Sequence, residues 1–106
     1  MHAVRIGATA ERDLLVGFEF YETQAAGLGQ YFLDSLFSDI DALALYAGVH
    51  PKPLSGLHRN LSKRFPFAIY YDFDGATVIA LAVLDCRRNP RSIRSTLGVR
   101  RTQLKK

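Results

Sequence analysis

The feature that most constrains the fold is a pair of apolar segments joined by a tight-turn signal. Residues 67–73 carry aromatic or branched side chains at every second position, which is the period of a β-strand. Asp74-Gly75 follows, and both residues tolerate the backbone angles of a two-residue hairpin turn. Residues 77–85 are nearly all apolar, as expected for a central strand covered on one or both faces. The sequence therefore predicts a β-hairpin within a sheet.

Two amphipathic helices are predicted before this hairpin. The first is capped by Thr9 and ends between residues 23 and 26. The second has apolar residues three or four positions apart over residues 33–47, and Gly48 is its predicted stop. The glycines of Gly27-Leu28-Gly29 allow a tight reversal between the two. We therefore expect an antiparallel helical hairpin, which needs a sheet to bury its apolar stripes.

The remaining segments complete an α+β pattern. Residues 3–6 and 57–65 are predicted strands, and residues 90–97 are a predicted helix. Asn89 is the expected N-cap of that helix, and Gly98 is its expected stop. The order β-α-α-β-β-β-α predicts an α+β layer fold in which the helical hairpin precedes a small sheet and packs on it.

Length and composition exclude several classes of protein. A chain of 106 residues can bury one core, and no apolar run approaches the roughly 20 residues that span a bilayer. Charged residues interrupt any signal-peptide pattern, and a single cysteine, Cys86, cannot form an internal disulfide. We therefore expect a cytoplasmic protein. The histidines and Cys86 lack metal-ligand spacing and no phosphate-binding glycine loop is present, so neither metal nor cofactor is expected.

The charge is distributed unevenly along the chain. Residues 1–50 carry two bases against seven acids, whereas residues 87–106 carry eight bases and no acid. A basic segment of this kind favours an acidic partner, which is either a nucleic acid or an acidic protein.

Arginines are the best candidates for chemistry. Four of them lie on predicted strands or at strand ends: Arg59, Arg64, Arg87 and Arg88. A guanidinium group binds phosphate or carboxylate through a planar fork, so a converging set would position an RNA phosphate and stabilise the charge that develops when the RNA is cut. Three other roles are open: solubility, ion pairs with nearby aspartates, and docking of an acidic partner peptide.

Two further residues have both a functional and a structural interpretation. Tyr70 has the parity opposite to the aromatic stripe of residues 67–73, so it is a candidate for stacking or partner contact while the stripe is assigned to the core. Cys86 stands before two arginines that would lower the pKa of its thiol. We favour its interpretation as a small residue that ends a buried strand.

Six short motifs follow one another along the chain, over roughly residues 3 to 97. They are Phe18-Glu19-Phe20-Tyr21-Glu22, Gly27-Leu28-Gly29, Phe32-Leu33, Asp39-Ile40, Arg64-Phe65-Pro66-Phe67-Ala68-Ile69-Tyr70-Tyr71 and Asp85-Cys86-Arg87-Arg88-Asn89-Pro90. The ordered set resembles the RelE/ParE superfamily of toxins from bacterial type II toxin–antitoxin systems, often called plasmid stabilisation proteins. The resemblance implies the α+β toxin fold, in which a helical hairpin packs on a small antiparallel sheet. It also implies a growth inhibitor that is neutralised by a cognate antitoxin.

The motifs favour the ParE-like branch, which is associated with inhibition of DNA gyrase. Toxins of the RelE branch cut mRNA at the ribosome and typically carry a basic residue where this chain has Ala68. Arg87 matches the arginine that those toxins have at the end of the last strand. No tyrosine or histidine follows Arg87, so the group that would exchange protons during RNA cleavage is missing.

These observations predict a toxin that binds a protein target such as DNA gyrase and is not an enzyme. The alternative is a metal-independent, ribosome-dependent mRNA endonuclease in which Arg59, Arg64 and Arg87 hold the phosphate. A second alternative is an inactive binding module of the same fold.

The expected partner-binding residues are four in number: Arg64, Tyr70, Arg87 and Arg88. The expected partners are a cognate antitoxin, in a hetero-oligomer, and either DNA gyrase or the ribosome with its mRNA. The toxin domain is predicted to span residues 1–98, followed by a basic tail, residues 99–106.

Overall fold

The computed structural model describes residues 1–53 and 56–104. The elements are β1 (Ala3–Ile6), α1 (Ala8–Gln24), α2 (Leu28–Asp41), α3 (Leu43–Tyr46), β2 (His58–Leu61), β3 (Phe67–Phe73), β4 (Thr77–Asp85) and α4 (Pro90–Leu104). The predicted α+β order is confirmed, with the short α3 as an addition. The strands form one sheet in the order β1-β4-β3-β2. Because β1 runs parallel to β4, the sheet is mixed and not wholly antiparallel as expected.

The β3–β4 hairpin has the bounds that the sequence predicts. Asp74 closes the turn, since its Oδ1 accepts hydrogen bonds from the backbone N–H groups of Ala76 and Thr77 at 2.9 and 2.8 Å. The pairing is irregular at one point: Tyr70 lies opposite Ala82, but the next residue, Tyr71, lies opposite Ala80. Leu81 is therefore an extra residue in β4, which makes a β-bulge.

The helical hairpin forms as predicted, although its first helix begins differently. Gly7 and not Thr9 is the N-cap of α1, because Thr9 lies inside the helix and its hydroxyl donates to the Leu81 carbonyl at 3.1 Å. Gly27 reverses the chain between α1 and α2 with a φ of 87°, a value that favours glycine. The Glu22 carboxylate accepts hydrogen bonds from the Gly27 and Gly29 backbone N–H groups and so fixes this reversal.

Two other predicted bounds are wrong. The second helix does not run unbroken to Gly48, because Ala42 interrupts it between α2 and α3. β2 ends at Leu61 instead of continuing to residue 65, because the chain turns away at Ser62. Asp39 of α2 holds this turn: it is buried, and its Oδ2 accepts from the Ser62 hydroxyl at 2.8 Å.

The sheet is covered on both faces, so the protein has two apolar clusters. The first lies between the sheet and the helical hairpin, and its largest fully buried members are Leu14, Phe32, Leu36, Ile40, Leu43, Ile69 and Tyr71. The second lies between the sheet and α4, and consists of Leu57, Ala68, Tyr70, Leu81, Ala82, Leu84, Ile93 and Leu97. We call these the hairpin face and the α4 face of the sheet.

Helix α4 begins as predicted but continues further. Asn89 caps it, since its Oδ1 accepts a hydrogen bond from the Arg91 backbone N–H at 2.8 Å. Gly98 does not stop the helix, which runs on to Leu104. The predicted boundary between residues 98 and 99 therefore falls inside a helix, and residues 105–106 of the predicted tail lie outside the described residues. In the described chain, no helix has the length and apolarity needed to cross a membrane.

Candidate partner-binding site

Arg87 is held in place at the end of β4. Its Nε and Nη2 atoms donate to the Asp85 carboxylate at 2.9 and 2.6 Å, and its backbone N–H donates to the same carboxylate at 2.8 Å. This hydrogen bonding keeps the pKa of Asp85 below its usual range, and burial partly opposes the effect. Burial raises the pKa of Tyr21, which lies beside Arg87 on the hairpin face. Arg87 is therefore exposed and oriented, but a local acid already balances its charge.

Arg88 points in another direction. Its Nη2 donates to the Ser92 hydroxyl at 2.9 Å and to the Thr96 hydroxyl at 3.4 Å, so the side chain lies along α4. No carboxylate lies within 4.0 Å of its guanidinium group among residues 1–53 and 56–104. Two of the three predicted partner-binding arginines, Arg87 and Arg88, thus stand at the same strand end, and Arg88 has the less compensated charge.

A groove lies beside Arg88, between α1 and the second half of β4. β1 pairs with β4 only as far as Ala80, and no strand of the described chain pairs with that side of β4 beyond this residue. The resulting cavity is about 250 Å³. Six of its lining residues are apolar or glycine (Val16, Gly17, Phe20, Phe67, Val83 and Leu84) and three are charged (Asp13, Asp85 and Arg88).

A buried ion pair closes one part of this open strand edge. Asp13 of α1 accepts from Arg100 Nη2 at 3.0 Å, and both side chains are largely buried. Asp13 also accepts from the Val83 backbone N–H at 2.9 Å, and Arg100 donates to the Leu81 carbonyl at 3.0 Å. One ion pair thus joins α1, β4 and α4 while satisfying backbone groups that a neighbouring strand would otherwise bind.

The groove leaves apolar side chains of α1 in contact with solvent. Val16 is 63% exposed and Phe20 is 51% exposed. Exposed apolar side chains that line one concave surface are typical of protein-binding sites. The sequence reasoning missed Asp13, Val16 and Phe20 as site residues. The signal available was their spacing of three and four residues, which places all three on one side of α1.

Arg64 is on the same side of the sheet as Arg87. It lies in the β2–β3 loop, and its Nη1 donates to the Tyr31 hydroxyl at 3.0 Å. Tyr31 packs on Phe65, and Phe65 packs on Tyr21, which lies beside Arg87. The structure therefore places Arg64 and Arg87 at the two ends of one aromatic row.

Tyr70 and Arg59 lie on the opposite face. Tyr70 has the predicted parity, but it is 1% exposed because α4 covers it. Its assignment as a partner-binding residue is therefore corrected to a core residue. Arg59 pairs with Tyr70 across the strands, and its Nη2 lies 3.9 Å from Cys86 Sγ. The Arg59 Nε is buried without a hydrogen-bond partner among the described residues.

The three arginines of the nuclease hypothesis consequently do not converge. Arg59 lies on the α4 face, whereas Arg64 and Arg87 are on the hairpin side with an aromatic row between them. Within residues 1–53 and 56–104, no group of three or more His, Cys, Asp or Glu side chains is arranged to hold a metal ion.

A buried polar cluster lies among the loops that follow α3. The Tyr71 hydroxyl accepts from the Gly48 backbone N–H at 3.0 Å and lies 2.6 Å from His50 Nδ1. The His58 ring stacks on the Tyr71 ring, with 4.9 Å between their centroids. Burial is the main cause that lowers the pKa of His50, and the neighbouring His58 lowers it further. These contacts fix the loop that returns the chain to β2.

The architecture is that of a known class. A helical hairpin on one face of a four-stranded sheet, with β3 and β4 at its centre, is the ParE-like toxin fold. A chain of the solved structure "Chromosomal ParDE TA system from P. aeruginosa" is similar to this protein, with a TM-score of 0.69 and 17% sequence identity. The similarity covers 78% of this chain and 94% of that chain.

No protein-family model and no curated protein matches the sequence. At this level of identity the similarity shows the fold alone, and it confirms the predicted fold class.

Proposed function

We propose that this protein is the toxin of a type II toxin–antitoxin system and inhibits growth by binding a protein target such as DNA gyrase. The ParE-like fold is the observation that carries the proposal. The arrangement of the arginines supports a binding mode of action, because Arg59, Arg64 and Arg87 lie in three different environments. Phosphate cleavage requires groups that converge on one reacting atom.

The cognate antitoxin is the proposed occupant of the groove beside Arg88. An antitoxin segment with apolar side chains would bury Val16 and Phe20, and an acidic residue next to it would pair with Arg88 and Arg87. Apolar burial would supply most of the affinity, while the charges would fix the register of the segment.

Inducible expression tests the toxin assignment. Expression of the chain alone should arrest growth, and co-expression of a small neighbouring reading frame with an acidic C-terminal segment should restore it. Arg87→Glu/Arg88→Glu should weaken the purified complex by more than about tenfold, since each change places like charges against the acidic segment. Arg5→Glu/Arg12→Glu is the matched control, because it reverses two exposed charges in the N-terminal half of the chain.

A supercoiling assay with purified gyrase tests the target. Micromolar toxin should inhibit supercoiling, and messages in a translation extract should stay intact. Cleaved mRNA together with unaffected gyrase would replace this proposal with the endonuclease function. Expression without any growth defect would leave the inactive binding module as the better description.

A further inference from the structure

The arginines around α4 are divided by their surroundings. Those directed towards the rest of the protein are paired: Arg100 with Asp13, and Arg101 with Asp72 at 3.8 Å. Arg91 and Arg94 are exposed instead, and no carboxylate lies within 4.0 Å of either in the part of the chain that the structure describes. The acids available near α4 are thus used on its inner side, and its outer side keeps an uncompensated positive charge.

The other residues of this outer side are small and polar. Ser92 and Ser95 are exposed beside Arg91 and Arg94, and Arg88 donates to the Ser92 hydroxyl. Arginine guanidinium and serine hydroxyl groups are the side-chain donors that commonly bind phosphate oxygens. We call this surface, made by Arg91, Ser92, Arg94 and Ser95, the basic face of α4.

The same composition argues against two other kinds of partner. The basic face has no aromatic side chain, and the exposed large apolar residue of α4 is Val99. The centre of a protein interface usually contains aromatic or apolar anchors. The groove between α1 and β4, called the α1 groove below, has such anchors in Val16 and Phe20. Binding of single-stranded nucleic acid uses aromatic rings on which the bases stack. The backbone of a duplex requires neither, because it presents a regular row of phosphates.

We propose that the basic face of α4 binds the phosphate backbone of a nucleic-acid duplex. A helix rises about 1.5 Å per residue, so Arg91 to Ser95 extends over roughly 6 Å, a length along which duplex DNA carries about three phosphates. The proposed contact is to phosphate oxygens, which arginine and serine side chains bind whatever the base sequence. This surface is separate from the α1 groove, and the proposal does not depend on toxicity or on an antitoxin.

Fluorescence anisotropy with a labelled DNA duplex of about 20 base pairs tests the proposal over roughly 50 to 200 mM salt. The full chain should bind, and the logarithm of the association constant should fall against the logarithm of the salt concentration with a slope of about −2 to −3. Arg91→Gln/Arg94→Gln should raise Kd by about tenfold or more and reduce the magnitude of the slope by about 2.

Arg5→Gln/Arg12→Gln is the matched control. It removes the same two charges from exposed positions on β1 and α1, and it should change Kd by less than about twofold. Circular dichroism of both variants would show that α4 has not been lost. A duplex RNA of the same length should bind with a similar salt slope, because the contact is to phosphates.

Three results would overturn the proposal. The first is the absence of duplex binding by the full chain at the lowest salt concentration. The second is an equal loss of affinity in the two double variants, which would show attraction by net charge alone. The third is tighter binding of a poly-glutamate peptide or of single-stranded DNA than of the duplex, which would assign the basic face to an acidic protein or to unpaired bases.

Discussion

The two faces of the sheet are covered in different ways. On the hairpin face, rings from α1, α2 and β3 interlock, and Phe32 lies 5.1 Å from Tyr21 and 4.9 Å from Phe67 between ring centroids. On the α4 face, the helix contributes two buried apolar side chains, Ile93 and Leu97, which pack mainly on alanines and leucines of the sheet. Arg100 and its ion pair complete that attachment.

The hairpin face is therefore stabilised mainly by apolar packing, whereas the attachment of α4 also depends on the geometry of one ion pair. Aromatic packing stabilises through many small contacts, so no single polar group decides whether the hairpin stays attached. The attachment of α4 has fewer apolar contacts and one buried ion pair. We therefore expect α4 to open locally at a lower free energy than the helical hairpin.

The largest effect should follow from removing a ring on the hairpin face. Phe32→Ala should lower the free energy of unfolding by about 3 to 5 kcal/mol, because Phe32 is fully buried and the cavity cannot collapse around it. Urea denaturation measures the change. Leu97→Ala on the α4 face should cost less in global unfolding and should mainly speed hydrogen exchange in α4. Equal global costs would contradict the contrast between the faces.

A comparable but more local effect should follow from breaking the Asp13–Arg100 pair. Arg100→Met leaves Asp13 buried without its partner, and the expected cost is about 3 kcal/mol. Hydrogen exchange should show faster exchange in the second half of α4. Arg101→Met is the control: its pair with Asp72 is long and about one-third exposed, so the expected cost is below about 1 kcal/mol. Identical costs at the two positions would be the contrary result.

Two glycines allow a third comparison of the faces. A Cβ atom at Gly17 would lie 2.5 Å from the Phe32 ring, so Gly17→Ala should cost about 1 to 3 kcal/mol. In the double variant Gly17→Ala/Phe32→Leu, the smaller leucine side chain should relieve part of this cost. Gly98 in α4 has open space around its Cβ position, so Gly98→Ala should stabilise the protein by up to about 1 kcal/mol. Thermal denaturation of the four variants tests this, and a stable Gly17→Ala protein would refute the close packing.

The smallest expected effect concerns pH. Because the pKa of His50 is lowered in the folded state, the unfolded chain binds the proton more readily, and stability should fall as pH falls through about 6.5. The His50 side chain is only partly buried, so solvent screening keeps the expected loss below about 1 kcal/mol. Melting temperatures at pH values of about 7.5 and 5.5 measure it. His50→Gln should show a smaller drop than the unaltered chain, and an equal drop would remove His50 as the cause.

The local patterns in the sequence predicted well the central hairpin and which side chains of β3 lie on each face of the sheet. Alternation over residues 67–73 and the Asp74-Gly75 turn depend on neighbours in the chain, and the structure reproduces both strands with the predicted bounds. The N-cap at Asn89 was equally local. The helical hairpin was predictable for the same reason, since its apolar spacing and its glycines lie close together in the sequence.

The errors arise where a distant contact decides the outcome. Gly98 was predicted to end α4, but the helix continues to Leu104. Within this continuation, Arg100 forms an ion pair with Asp13, which lies 87 residues away in the sequence. Tyr70 was placed on the correct face and assigned the wrong role, because the sequence pattern did not show that α4 would cover that face. β2 ends early because Asp39, on another element, binds Ser62.

The extra residue in β4, Leu81, changes which face of the sheet the following side chains lie on. Before Leu81, the side chains of Val78 and Ala80 belong to the hairpin cluster; after it, Ala82 and Leu84 belong to the α4 cluster, although simple alternation would continue them on the first side. β4 therefore behaves as two half-strands of opposite phase. The number of residues in β4, as much as their polarity, therefore places Ala82 and Leu84 on the apolar surface that α4 packs against.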